Sequence, residues 1–266
     1  MTTGGDPILD AYTPAQIAER IEKAGVAKAK LPLVPMATLG VLAGAFIALG
    51  ACLYLVATTD TQMGYGPTRL MGGIAFSLGL ILVVIGGAEL FTGNNLIVMA
   101  RCEGMITTGR LLRNWAVVYV CNLVGAVATA LFVVWSGMLD GAGGAVGEHA
   151  RGIALAKAAL PADQAFFRGI LCNVLVCLAV WLSFAARSVT GKAIAIVFPI
   201  TAFVALGLEH SVANMFFLPL SMLAGGGPAL GDVVANIAVV TAGNVVGGGL
   251  LVGGVYWLVY GCARDG

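Results

Sequence analysis

The sequence predicts an all-α membrane protein with six transmembrane helices, arranged as a 3+3 inverted repeat with two interrupted helices. Hydrophobic residues make up 59% of the 266 residues and charged residues only 10%, against about a quarter charged in an ordinary globular domain. The few charges separate long apolar segments, and similar motifs recur in the two halves of the chain. The net charge of +1 predicts neither a basic surface for nucleic acid nor an acidic disordered tail.

The apolar segments account for the number of helices. A helix needs about 20 apolar residues to cross the hydrocarbon of a bilayer. Four segments are long enough alone, and four shorter ones form two pairs, each interrupted by Glu89 or Glu209. The charge-free segments are residues 31–57, 70–88, 90–100, 114–139, 169–186, 193–208, 211–224 and 233–263. The sequence therefore predicts six spans.

The basic residues predict the orientation. One set of span ends holds Arg20, Lys23, Lys28, Lys30, Arg101, Arg110, Arg113, Arg187, Lys192 and Arg264, and the other only Arg69, Arg151, Lys157 and Arg168. Basic residues concentrate on the cytoplasmic side, so we expect both termini there. The predicted parts are a cytoplasmic amphipathic segment (1–30), the transmembrane domain (31–261) and a cytoplasmic tail (262–266). Trp115 and Trp135, at opposite ends of the third span, are typical of interfacial belts.

A short helix is predicted before the first span. Thr13 and Gln16 form a capping-box pattern around Pro14, and Ile17 and Ile21 recur on one face. We expect an amphipathic helix on the inner membrane surface. It is either a simple connection to the first span or a movable cytoplasmic gate. This region lacks the apolar core of a signal peptide.

The repeat predicts a central site. Residues 87–94 and 207–214 share a Gly-x-Glu motif followed by asparagine, and residues 122–125 resemble residues 244–247. Three spans per half require the second half to be inverted, as in transporters and channels with a midplane site. Each half-helix after a break offers free N–H groups and roughly half a positive charge. Two such ends favour an anion.

Three ionisable residues lie at these breaks. A charge at bilayer depth costs at least about 2.5–3.5 kcal/mol, so it is usually paired or functional. We expect Glu89 and Glu209 to be structural carboxylates that accept the freed N–H groups, rather than proton carriers. His210 has no counterpart in the first half. Its imidazole could offset the charge of an anion or exchange a proton with it.

Apolar residues surround the breaks, and a basic residue lies further out. Phe76, Leu80, Phe91 and Phe203 have two interpretations, ordinary helix packing or rings that narrow a path and exclude hydrated ions. Lys157 is either a surface lysine or a charge that attracts anions to an outer vestibule. The cysteines include no CxxC pair or His/Cys cluster, so we expect no metal site and no cofactor.

Several segments resemble one family over essentially the whole chain. They are GAELFTGN at 87–94, GILCN at 169–173, VCLAVW at 176–181, EHSVANM at 209–215 and GNVVGGG at 243–249. The chain resembles formate/nitrite transporters, which are pentameric inner-membrane channels for small monovalent anions with an aquaporin-like fold and one pore per protomer. The resemblance implies a homopentamer in a lipid bilayer and no enzymatic activity. It further implies that movement of the anion is coupled to that of a proton.

The resemblance also implies roles for individual residues. His210 matches the central pore histidine, with Thr92 facing it and Glu209, Asn214 and Asn244 beside it. Phe76 and Phe203 match one constriction, Leu80 and Phe91 the other, and Lys157 and Asn173 the outer entrance. Family substrates include formate, nitrite and hydrosulfide. Residues 76–82 and 211–216 resemble the formate channel, whereas Gly93-Asn94 and residues 154–157 resemble the nitrite branch, so the preferred anion is most simply formate, with nitrite or hydrosulfide as the alternative.

Other classes fit less well. Water and glycerol channels carry Asn-Pro-Ala at such breaks, and ammonium channels line the pore with two histidines, whereas only His210 lies in a span here. A membrane enzyme would need further converging ligands or a nucleophile. The small-residue motifs around Gly44 and Gly247 permit close helix packing, either within one protomer or between protomers.

Overall fold

The structure is a computed structural model that describes residues 11–261, and it is all-helical apart from one isolated bridge between Ala11 and Ala186. The predicted tail at 262–266 lies outside the described residues. The α-helices are α1 Pro14–Ala29, α2 Leu33–Thr58, α3 Tyr65–Gly86, α4 Val98–Cys102, α5 Thr108–Trp135, α6 Ala145–Ala158, α7 Ala162–Ala185, α8 Val189–Ala205, α9 Ser211–Leu223, α10 Leu230–Val245 and α11 Val255–Tyr260. Gly93–Ile97 and Met138–Gly144 are 3₁₀ turns, and Val246–Gly254 is a π-helical stretch joining α10 to α11.

Several helical segments are long and apolar enough to cross a membrane. Five segments qualify, with mean hydropathy between 1.7 and 2.3, namely Leu33–Thr58, Tyr65–Gly86, Thr108–Trp135, Ala162–Ala185 and Leu230–Tyr260. The shorter apolar helices Val189–Ala205 and Ser211–Leu223 follow one another. The prediction of an all-α membrane protein with several spans is confirmed. The number of crossings and the inverted relation of the halves remain predictions.

Two helices are interrupted beside the repeated glutamates. α3 ends before Gly87, whose φ is +81°, and α8 ends before Gly207, whose φ is +70°. These left-handed conformations suit glycine because it has no Cβ atom. The chain therefore leaves the helix at matching places in the two motifs, just before Glu89 and Glu209.

Close helix packing surrounds the breaks. α2 packs against α3 and α5, and α7 against α8 and α10. A methyl group on Gly44 would lie 2.1 Å from the carbonyl oxygen of Asn122, and one on Gly247 would lie 2.1 Å from that of Ile170. Both glycines therefore allow two helices of the same chain to pack closely. For these two positions the small-residue motifs act within one protomer.

The N-terminal helix packs on protein. Its predicted capping box is present, with Gln16 N–H donating to Thr13 Oγ1 at 3.4 Å and Thr13 N–H to Gln16 Oε1 at 3.0 Å. The apolar side of α1 is covered by the rest of the chain, and its place relative to the membrane surface remains a prediction. Ile17 and Ile21 are buried in a cluster that also contains Leu96, Met99, Trp181 and Val252.

Candidate functional site

The two interrupted segments meet at Thr92 and His210. Thr92 Oγ1 lies 2.9 Å from His210 Nε2, and both residues are buried. His210 also caps α9, because the backbone N–H of Ala213 donates to its Nδ1 at 3.1 Å. An Nδ1 that accepts a hydrogen bond carries no proton, so the neutral ring carries its proton on Nε2. In this arrangement His210 is a hydrogen-bond donor towards Thr92.

Two asparagines satisfy the backbone groups that the breaks set free. Phe91 N–H donates to Asn122 Oδ1 and Ser211 N–H to Asn244 Oδ1, both at 2.9 Å. Each asparagine Nδ2 in turn donates to the carbonyl oxygen of the break glutamate, at 2.9 Å for Glu89 and 3.0 Å for Glu209. The expectation that the glutamate side chains accept these N–H groups is wrong, since the asparagine oxygens of neighbouring helices already do so.

The Glu89 carboxylate is held by a lysine and an asparagine. Lys28 Nζ lies 2.6 Å from Glu89 Oε1, and Asn94 Nδ2 donates to Oε2 at 2.7 Å. Asn94 also donates to Asn114 Oδ1 at 2.9 Å, and Asn114 donates to the carbonyl oxygen of Lys28 at 3.2 Å. A buried carboxylate needs such charged and hydrogen-bonding partners to remain ionised.

Glu209 has the same set of partners. Lys157 Nζ contacts its two oxygens at 3.0 and 3.1 Å, and Asn214 Nδ2 donates to Oε2 at 2.7 Å. Asn214 donates to Asn236 Oδ1, and Asn236 to the carbonyl oxygen of Lys157, both at 2.8 Å. Lys157, predicted either as a surface lysine or as a charge that attracts anions, is thus the ion-pair partner of Glu209.

Four residues of the site were not predicted from the sequence, namely Lys28, Asn114, Asn122 and Asn236. Asn122 was visible as the repeat partner of Asn244, and Asn114 stands to Asn236 at the same spacing. That spacing is the signal that could have found both asparagines. Lys28 precedes the first span and has no such counterpart in the sequence.

One predicted position differs from expectation, and a second makes an additional contact. Asn173 does not lie at an outer entrance but is fully buried, and its Nδ2 donates to Asn95 Oδ1 and the carbonyl oxygen of Asn244, both at 2.7 Å. It holds the Thr92 segment against the other half of the chain. Trp115 was predicted as an interfacial residue. In addition, its indole N–H donates to the carbonyl oxygen of Asn94 at 3.0 Å.

Two cavities approach the Thr92–His210 pair. The Lys157 cavity, of about 380 Å³, is lined by His210, Phe76, Phe203 and Lys157 among others. The Lys28 cavity, of about 450 Å³, is lined by Leu80 and by Gly93, next to Thr92. Charged lining residues are Arg69, Lys157, Arg168 and Glu209 in the first and Arg20, Lys28, Lys192 and Glu89 in the second. Each cavity thus offers three basic groups against one acidic group.

Two aromatic rings line the Lys157 cavity beside His210. The rings of Phe76 and Phe203 meet edge to face with centroids 5.5 Å apart, and the Phe203 ring stacks on His210 at 5.9 Å. Phe91 packs instead against Trp115 and Tyr119, at 6.1 and 4.9 Å. The predicted pairing of Leu80 with Phe91 across a second constriction remains a prediction.

Comparison with known proteins identifies the family. The model of a family described as "Formate/nitrite transporter" matches residues 15–258. The formate channel FocA of Escherichia coli (strain K12) is 41% identical over 275 aligned residues, which cover 96% of either chain. The chain belongs to the formate/nitrite transporter family. It is therefore a multi-pass membrane protein of a family of transporters and not of enzymes.

Solved structures of the family share this fold. An "FNT family ion channel" is 31% identical, with a TM-score of 0.84 over 92% of this chain and 98% of the other. A "Pentameric formate channel with formate bound" is 40% identical, with a TM-score of 0.79 over 86% of this chain and 97% of the other.

Proposed function

We propose that this chain is a formate channel in which each protomer contains its own pore through the Thr92–His210 pair. The observation that carries the proposal is this pair, buried between two cavities in which basic residues outnumber acidic ones. Basic cavities concentrate anions by electrostatic attraction. The similarity to FocA and to a formate-bound channel supports formate as the substrate.

The apolar rings require the anion to be neutralised. Transferring a bare ion into an apolar medium has an idealised cost of about 20 kcal/mol. Protonating a carboxylate whose pKa lies roughly three pH units below neutrality costs about 4 kcal/mol, so crossing between Phe76 and Phe203 as the neutral acid is far cheaper. His210 Nε2–H and the Thr92 hydroxyl then serve as hydrogen-bond donors to the carboxyl oxygens.

In this mechanism formate takes its proton from solvent in the cavity and not from His210. Releasing the Nε2 proton while Nδ1 accepts from Ala213 would leave an imidazolate, which is too basic to form near neutral pH. Accepting a second proton would place it on Nδ1 and break the cap on α9. Formate and a proton therefore move together, with His210 remaining neutral.

We also propose the setting of this channel. The pentameric neighbour supports a homopentamer, and the distribution of basic residues supports an inner (plasma) membrane location with cytoplasmic termini. The proposed parts are the cytoplasmic segment 1–30, the transport domain 31–261 and the cytoplasmic tail 262–266. The Lys28 cavity, beside α1, then faces the cytoplasm.

Uptake into proteoliposomes tests the proposal. Formate and nitrite are compared side by side, with and without an inward proton gradient. We expect faster formate uptake that rises with the gradient. Faster nitrite uptake would assign the chain to the nitrite alternative, and uptake of neither anion would refute the proposed substrate while leaving the family membership unaffected.

A further inference from the structure

We propose that Arg69 is a positioning residue of the transport site, because its guanidinium holds the helix break before His210 and neutralises the negative end of α8. The inference rests on the proposed passage of a small anion. It adds a residue that lies outside every repeated motif, near the start of α3 and far in sequence from the break that it contacts.

Arg69 binds the last carbonyl groups of α8. Its Nε donates to the carbonyl oxygen of Ala205 at 3.2 Å, and its Nη2 donates to that of Val204. Nη1 lies 3.4 Å from the hydroxyl of Tyr54. A methyl group on Gly207 would lie 3.2 Å from Nη2, so the guanidinium also covers the left-handed turn that opens the break.

The electrostatic role follows from the direction of α8. The last carbonyl groups of a helix lack intrahelical partners and carry roughly half a negative charge. Val204, Leu206 and Gly207 line the Lys157 cavity, so this negative end borders the path proposed for the anion. The half-buried Arg69 guanidinium supplies a permanent positive charge at that point.

A second arginine contacts the same break. Arg168 Nη1 lies 3.4 Å from the carbonyl oxygen of Gly207, and the Arg168 carbonyl oxygen accepts from Glu209 N–H at 3.4 Å. At the other break, no side chain within residues 11–261 donates a hydrogen bond to the carbonyl groups of residues 83–88. Among the described residues, arginine side chains thus donate to the break before Glu209 and not to the break before Glu89.

Two variants and a control test the role of Arg69. Arg69→Gln removes the charge, and Arg69→Lys keeps the charge but lacks the planar guanidinium that binds two carbonyl groups. As the control, Arg151→Gln removes an exposed charge on α6 that lines neither cavity. We expect Arg69→Gln to raise the half-saturating formate concentration about fivefold, the effect of one unit charge at contact distance in water. Arg69→Lys restores most of the affinity, and Arg151→Gln matches the wild type. Equal saturation curves for Arg69→Gln and Arg151→Gln would overturn the inference.

Hydrogen exchange in nanodiscs provides a readout that does not depend on transport. Arg69→Gln is expected to speed exchange in peptides covering residues 204–214 and to leave residues 83–94 unchanged. Unchanged exchange at 204–214 would refute the positioning role. If the wild-type protein takes up no formate, the proposed substrate fails, and the exchange comparison still decides whether Arg69 holds the break.

Discussion

Asn122 and Asn244 make the same three hydrogen bonds at the two helix breaks. The side-chain oxygen of each accepts a freed N–H group, and the side-chain nitrogen donates to the carbonyl oxygen of the break glutamate and to that of a glycine on a neighbouring helix. One amide thus satisfies both polarities of the unwound backbone, which hydrocarbon cannot do. The break is stable because an adjacent helix completes it.

Removing either asparagine should destabilise the protein. Asn244→Ala leaves the buried Ser211 N–H without a partner, at a cost of about 1–3 kcal/mol, and Asn122→Ala does the same to Phe91. We expect both variants to lower the thermal unfolding midpoint of the purified protein by similar amounts. An Asn244→Ala midpoint equal to that of the wild type would contradict this account of the break.

His210 has two separable roles. In His210→Asn the side-chain oxygen can still cap α9, whereas His210→Ala loses the cap, which is worth about 1 kcal/mol. Neither variant presents the ring N–H to Thr92. We therefore expect both to lose most formate uptake and only the alanine variant to lose stability. Proton-coupled uptake at the wild-type rate in either variant would exclude the proposed role of the Nε2–H donor.

Formate uptake should depend on the hydroxyl group of Thr92 more than on its methyl group. Thr92→Ser keeps the oxygen that faces His210 Nε2, and Thr92→Val replaces it with a methyl group of similar size. Uptake is expected to remain near the wild-type level in the serine variant and to fall at least about tenfold in the valine variant, the effect of one lost hydrogen bond. Similar rates in the two variants would show that the hydroxyl is not a donor to the anion.

The Lys157–Glu209 ion pair can be tested by a double-mutant cycle. The two side chains are only 16% and 6% exposed, so removing one partner leaves an unpaired buried charge, at a cost of about 3–5 kcal/mol. Lys157→Gln should therefore unfold at a lower temperature than Lys157→Gln/Glu209→Gln. A double variant no more stable than the single one would show that the pair is not coupled. Lys28 is 31% exposed, so Lys28→Gln should lower the unfolding temperature by less than Lys157→Gln.

Stability should fall at mildly acidic pH because of His149. Burial lowers the pKa of His149, partly offset by Asp60, and its Nε2 lies 2.9 Å from Thr58 Oγ1. A folded-state pKa below the unfolded value of about 6.5 means that the unfolded chain binds the proton first. Stability is therefore complete above that value and declines as the pH falls below it. The unfolding midpoints at pH 7.5 and pH 5.5 should differ more in the wild type than in His149→Gln. An equal difference in both proteins would show that His149 is not the source of the pH dependence.

The sequence identified the residues that meet at the centre but not most of their contacts. Glu89, Glu209 and His210 were conspicuous because ionisable groups are rare in apolar segments, and Thr92 followed from the family resemblance. Asn94 and Asn214 follow Glu89 and Glu209 in the same segments, whereas Lys28, Lys157, Asn122 and Asn244 reach the breaks from other helices. A repeat can show that two backbone segments are unwound, but not which neighbouring side chain fills the gap.

By itself, the sequence determined the membrane class, the helical segments and the places where two helices break, because these depend on hydropathy and on local backbone chemistry. Only the tertiary structure decided that α1 packs on protein, that Asn173 lies between the two halves and that Arg69 caps α8. Each of these depends on packing between elements distant in the sequence. A buried polar group must find a partner, and only the packed arrangement of the helices determines which partner lies within reach.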